Sequence, residues 1–187
     1  MTTSRVAAPV LQETELVVLL DPLGHSIGTA PKATVHTAST PLHLAFSCHL
    51  VDDDGRMLVT RRALGKRAWP GVWTNACCGH PAPEELLEAA VQRRVRQELG
   101  AGVDALELAL PDFSYRAVDA SGIVEHERCP VFVGRIVGDP QPDPDEVVEW
   151  RWTEPERLRT AIAAAPWAFS PWLVLQAEQL PLLAGAA

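Results

Sequence analysis

The chain has no apolar run of the roughly 18 residues that a membrane span requires, and its start, "MTTSRVAAPVLQETE", lacks the continuous hydrophobic segment of a secretory leader. A soluble, cytoplasmic protein with no membrane partner is expected. There is no CxxC pair either, since the four cysteines are Cys48, Cys77, Cys78 and Cys129. That spacing argues against a thiolate zinc site and, in a chain of 187 residues, against a disulfide framework; free thiols fit a reducing compartment. Basic residues are few, 16 against 24 acidic for a formal charge of −8, so a surface that tracks nucleic-acid phosphates is not expected. A small anionic substrate would need a local basic cluster instead. Internal repeats are absent.

What is present can bury a full core: 47% of residues are hydrophobic, and the length suits one domain better than two. Residues 1–14 read as a flexible tail and 15–187 as a single domain. "ELVVLLD" (15–21) reads as a strand ending in the turn "DPLG", and "DDDG" joins "LHLAFSCHLV" and "RMLVTRRA" into a hairpin. "RAWPGVWTNACCGHPAP" is rich in Pro, Gly and Trp, the composition of a long functional loop rather than a regular element. A helix is expected from about Pro83 to Leu99, with Glu84 and Glu85 in its first turn and Gly100 just past its end. Residues 122–136 alternate enough for one strand, "EVVEWRWT" reads as another, and "DPQPDPDE" is a solvated connector. A short Ala-rich helix follows Pro155, and Ser170 with Pro171 starts a final one. The order predicts an α+β fold, or helices sandwiching a mixed sheet.

The helix poses a question. At 100° per residue Leu87, Val91, Val95 and Leu99 form one apolar stripe, and Arg94 and Glu98 fall inside it, about 20° either side of Leu87. Charged residues are seldom buried unless paired. The plainest reading is an ion pair one turn apart on the rim, worth a few tenths of a kcal/mol; the other is a functional site.

Three features carry chemistry. Period two puts Glu125, Glu127 and Cys129 on one strand face, and neighbouring carboxylates repel unless a cation or proton intervenes; a solvated edge is the alternative. His36, His43 and His80, with these two glutamates, make a donor set suited to zinc, manganese or iron, although each histidine alone reads as a surface or hydrogen-bonded residue. His25 and His49 read as structural or surface residues. Cys78 lies before a helix start, where the dipole would lower its pKa, and Cys77 must point elsewhere. Lys32, Arg62, Lys66 and Arg94 could supply the missing anion pocket.

"HTASTPLHLAFS", "TRRALGKRAWPGVWTNACCGHP", "RRVRQELG", "DFSYRA", "SGIVEHERCPVF" and "PWAFSPW" together resemble type I isopentenyl-diphosphate isomerase from about residue 15 to 176. The helix also resembles a degraded Nudix box, matched at Gly79, Glu85, Arg93, Val95, Glu98 and Gly100, with Arg94 and Gln97 replacing two of its glutamates. The resemblance implies a Nudix-like mixed sheet sandwiched by helices, and an enzyme that moves a double bond between isopentenyl and dimethylallyl diphosphate, a small-molecule substrate, through a tertiary carbocation. It implies that Cys78 and Glu127 transfer the protons, that Tyr115 bonds the carboxyl group, and that Trp172 faces the cation. It implies Zn²⁺ or Mn²⁺ on His36, His43, His80, Glu125 and Glu127. Mg²⁺ would sit on Glu98 and the Cys78 carbonyl, with Lys32, Arg62, Lys66 and Arg94 at the substrate. Cys77 and His126 depart from the family pattern. A Nudix diphosphohydrolase and a metal-dependent binding protein without turnover are the alternatives. The sequence implies no oligomeric state, and a monomer is compatible with it.

Overall fold

A computed structural model of the chain describes residues 15–183, so the expected tail, 1–14, lies outside the described residues. The elements run β1 (Leu16–Leu20), β2 (Ser26–Pro31), α1 (Lys32–Val35), β3 (His43–Leu44), β4 (Phe46–Val51), β5 (Met57–Arg62), β6 (Trp73–Thr74) and β7 (Cys77–Gly79). They continue through α2 (Leu87–Leu99), β8 (Gly102–Leu110), β9 (Ser114–Val118), β10 (Val124–Arg128), β11 (Val131–Val137), β12 (Val147–Thr153), α3 (Pro155–Ala164), a 3-10 turn (Pro166–Ala168) and α4 (Pro171–Ala177). One sheet has the order β2-β1-β3-β10-β9, and the other β12-β5-β4-β11-β8 with β6 on β5 and β7 on β4.

Strand alternation explains how the second sheet is covered on both faces. Phe46, Cys48, Leu50, Leu58 and Phe132 pack against Ala90, Val91, Val95 and Leu99 of α2. Their neighbours Met57, Val59 and Val131 point the opposite way, onto Leu158 and Ile162 of α3 and Leu173 and Ala177 of α4. This is the α+β sandwich expected.

The two sheets are joined where two parallel strands break together. β3 pairs β10 and β4 pairs β11, both parallel, and the gaps at Ala45 and at Cys129-Pro130 lie side by side: the Ala45 N–H donates to the Arg128 carbonyl at 2.9 Å and the Ser47 N–H to the Pro130 carbonyl at 3.0 Å. The single strand expected over 122–136 is therefore two, in different sheets. Proline has no N–H to continue a ladder.

Other boundaries differ for local reasons. Helix α2 begins at Leu87 rather than Pro83 because Glu84 has φ of +66°, outside the helical region. The Glu85 carboxylate accepts from the Ala82 N–H at 2.8 Å and from Arg93 at 2.7 Å instead of sitting in a first helical turn. Gly100 ends the helix in the left-handed region, its N–H bonded to the Arg96 carbonyl, as expected. Strands β2, β8 and β9 lie outside the elements that local patterning predicts. In β8 the left-handed Ala105 and shifts in register against β11 blur the alternation that would have marked it. Within the loop expected to be irregular, Cys77–Gly79 pairs with β4.

Candidate active site

The junction between the sheets opens on a cavity of about 820 Å³. Register brings its chemistry together. On β10, Glu127 is opposite His43 on one side and Tyr115 on the other, while on β4 Ser47 is opposite Cys78. β10 is an inner strand, so the solvated-edge reading of its carboxylates is excluded, and Glu125 and Glu127 are both buried.

His43 Nδ1 bonds the Pro41 carbonyl at 2.9 Å, which places the proton of a neutral ring there and leaves Nε2 with its lone pair facing the site. That Nε2 lies 3.2 Å from His80 Nε2, and both approach Glu127 Oε1, at 3.5 and 3.2 Å. His36, His43, His80 and Glu127 offer donor atoms within 4.8 Å of one another. Glu125 stands behind His36 at 3.0 Å, yet neither His36 Nε2 nor Glu125 Oε2 has a sound hydrogen bond, and both are buried. An N₃O set with orphaned buried atoms alongside fits a divalent transition metal.

The electrostatics agree. Burial pushes His80 down to about 4, so its ring is neutral and able to ligate. Burial likewise disfavours a charge on His43 and on Glu127, but the contact between them outweighs it, raising the imidazole and holding the carboxylate well below its usual range. Burial raises the Glu125 carboxyl.

Across the cavity, burial pushes the Cys78 thiol up to about 12, against the partial relief of bonds from Ser47 and Asn75. The expected lowering by a helix dipole does not occur: burial is the largest influence on the thiol, and α2 begins at Leu87 rather than at Pro83. Cys77, buried, turns to the α2 side as expected. Asn75 organises this wall: its Nδ2 donates to the carbonyls of Cys48 and Cys77 at 3.0 and 2.8 Å and lies 3.3 Å from Cys78 Sγ. Its Oδ1 accepts from Trp172 Nε1 at 3.1 Å, which, with Thr74 Oγ1 at 2.9 Å, ties the indole in place. Tyr115 stacks near that indole, with centroids 5.7 Å apart.

The opening question about α2 has a double answer. Arg94 and Glu98 are buried as an ion pair, and both also line the cavity. Gly79 makes room for this: a Cβ there would come 2.8 Å from Arg94 Cγ and 3.0 Å from the Phe46 ring. Lys32, Arg62 and Lys66 line the cavity too. Three of these cations face carboxylates. Lys32 pairs with Glu15 at 2.6 Å, Lys66 with Glu146, and Arg94 also reaches Glu146 at 3.3 Å. The Arg62 guanidinium lies 5.3 Å over the Trp172 ring and donates to the Ala68 and Trp69 carbonyls.

Several of these residues carry no local signal in the sequence. Glu146 ends the connector read as solvated, and only its contacts turn it inward. Ser47, Asn75, Thr74 and Gln176 carry no spacing signal, because their role is to hydrogen-bond partners distant in the chain. His49, read as structural or surface, is fully buried against Gln176.

A NUDIX domain family model matches residues 41–173. The isopentenyl-diphosphate Delta-isomerase of Agromyces mediolanus is 64% identical over 97% of this chain and 89% of its own, and that of Leifsonia xyli is 63% identical over 92% and 93%. Among solved structures, a Deinococcus radiodurans protein is similar with a TM-score of 0.67 at 19% identity, covering 87% of this chain and 96% of its own. A MutT NUDIX hydrolase from Burkholderia pseudomallei has a TM-score of 0.57 at 24% identity, covering 74% and 97%. At those identities the structures bear on the fold alone. With close relatives of one name over nearly its whole length and the NUDIX model across its centre, the chain belongs to the isopentenyl-diphosphate Delta-isomerase family within the NUDIX domain fold.

Proposed function

We propose that this chain interconverts isopentenyl and dimethylallyl diphosphate, with Cys78 and Glu127 as the proton-transfer pair. The observation that carries the reading is one cavity lined by a protonated thiol, a Tyr115-bonded carboxylate and a basic cluster that includes Lys32, Arg62, Lys66 and Arg94. The reaction adds a proton to the terminal alkene carbon and removes one from the methylene carbon nearer the diphosphate, so an acid and a base must act at two different carbons. Cys78 holds its proton on Sγ, and Glu127 exchanges one at its carboxylate. After a turnover the pair has traded one proton, and the intermediate between the two transfers is a tertiary cation.

The walls suit that cation. The Trp172 face, fixed by Thr74 and Asn75, supplies electron density without a nucleophile, an attraction of about 0.5 to 2 kcal/mol. Lys32, Arg62, Lys66 and Arg94 would draw the diphosphate tail, displacing the carboxylates that now neutralise three of them. A transition metal, Zn²⁺ or Mn²⁺, would be held by His36, His43, His80, Glu125 and Glu127, and Mg²⁺ by Glu98 and the Cys78 carbonyl. When bound, these ions supply positive charge at the catalytic carboxylate and at the diphosphate. The alternative of diphosphate hydrolysis is disfavoured because Arg94 and Gln97 stand where a metal cage would need carboxylates.

The test follows the hydrogens. Purified protein with isopentenyl diphosphate and Mg²⁺ in deuterated water should produce dimethylallyl diphosphate and exchange deuterium into the substrate, with no phosphate released. Release of phosphate without exchange would replace this reading by a hydrolase.

A further inference from the structure

Behind the Cys78 wall lies a buried polar chain that the reaction above does not use. Ser47 Oγ is 3.3 Å from Cys78 Sγ, Gln176 Nε2 donates to that Oγ at 2.9 Å, and Gln176 Oε1 is 2.9 Å from His49 Nε2. Ser47 and Gln176 are completely inaccessible and His49 nearly so. Such a row of side-chain dipoles in an apolar interior is costly unless every member is satisfied, so its polarity is fixed by its donors and acceptors.

The polarity can be read from one end. Gln176 uses its amide hydrogen on Ser47, so its Oε1 must accept, and His49 must carry its proton on Nε2. Burial pushes His49 down to about 4, in keeping with a neutral ring. Gln176 occupies one of the two lone pairs of the Ser47 hydroxyl, and its single hydrogen remains to be given. Two sulfurs are in reach, Cys78 at 3.3 Å and the buried Cys129 at 3.5 Å. Cys78 is the nearer, and register seats it directly opposite Ser47.

We propose that Ser47 is a positioning residue for Cys78, aligned by Gln176 and His49 so that its O–H points at the sulfur from the side away from the substrate cavity. Resting on the reading of Cys78 as a proton-transfer group, the role is specific. When the S–H bond breaks and its proton goes to the substrate carbon, the electron pair stays on Sγ, where the Ser47 O–H donates to it; both Asn75 amide hydrogens are already held by the Cys48 and Cys77 carbonyls. When a proton returns from carbon, the sulfur takes it back and the hydroxyl keeps its own. No bond forms or breaks at Ser47, Gln176 or His49. A hydrogen bond to a developing charge is stronger than one to a neutral thiol, so its contribution falls on the chemical step and not on substrate binding.

The experiment compares Ser47→Ala, Gln176→Leu and the double variant, with Cys78→Ala alongside and thermal unfolding as the check on folding. Loss of one charged hydrogen bond predicts kcat lowered about 10- to 100-fold in Ser47→Ala with KM within about twofold. Gln176→Leu should lower kcat less, and the double variant should be no slower than Ser47→Ala, because Gln176 acts through the serine. The infrared S–H stretch that disappears in Cys78→Ala should shift in Ser47→Ala, a readout that loss of packing alone would not move. Unchanged kcat in folded Ser47→Ala, multiplying effects in the double variant, or an unmoved stretch would each overturn the inference while leaving Cys78 in place. An active Cys78→Ala would instead remove the reading beneath it. Should Ser47→Ala fail to fold, Gln176→Leu carries the same kinetic and infrared tests.

Discussion

The Tyr115 hydroxyl donates to Glu127 Oε2 at 2.9 Å, while the other oxygen of the same carboxylate faces two imidazoles. The two residues are register partners on adjacent antiparallel strands, so the sheet itself sets the contact. Both lie in a buried setting where the carboxylate cannot turn to water. Glu127 is thereby held in one orientation, with one oxygen assigned to the histidines and the other to the phenol.

Replacing that phenol tests the orientation. Tyr115→Phe keeps the ring and its packing against Trp172 but removes a hydrogen bond to a charged acceptor, worth about 1.5 to 3 kcal/mol. The expected outcome is kcat lowered at least about tenfold with little change in KM, measured by steady-state isomerisation kinetics. Full activity in the variant would mean that Glu127 needs no such anchor.

The cysteines should separate cleanly. Cys78→Ala is expected to abolish proton exchange, measured by deuterium incorporation into isopentenyl diphosphate. Cys77→Ala, on the opposite face of β7 against α2, should keep activity within a few-fold and lose about 1 kcal/mol of stability for the buried volume removed. Equal behaviour of the two variants would refute the assignment.

At the histidine cluster, His36→Ala and His80→Ala are each expected to lower bound zinc or manganese in the purified protein, read by elemental analysis, without unfolding it. A metal content equal to that of the parent chain in both variants would remove the site.

Alkaline pH should weaken substrate capture. Burial pushes Lys66 down to about 8, below its usual range, so it loses its charge as pH rises through that value. The protonated form attracts a diphosphate, so kcat/KM should fall above about pH 8 in the parent chain. In Lys66→Arg, whose side chain stays charged, the fall should vanish. An identical alkaline limb in both proteins would assign it to another group.

Much of this protein is legible along the chain, and the limits of that legibility have identifiable causes. The α2 stripe, the Gly100 terminator, the Ser170–Pro171 helix start and the β4–β5 hairpin all follow from local periodicity and capping, which act within a few residues. The Cys78, Glu127, Tyr115 and Trp172 set was recognisable from the motifs around it, and the cavity holds all four. The pairing of β7 with β4 and the inward turn of Glu146 are not, because each depends on a partner far away in sequence.

The sequence alone determined which residue types stand at which spacing, and with them the helix faces, the candidate ligands and the family. Only the tertiary structure decided their state. Cys78 is a thiol and not a thiolate because its surroundings bury it. The charges of α2 are neutralised within a cavity whose far wall comes from β10, and Ser47 meets Gln176 across 129 positions of chain. Burial and hydrogen-bond polarity are properties of what surrounds a group, and in this protein those surroundings are assembled from segments that the chain order keeps apart.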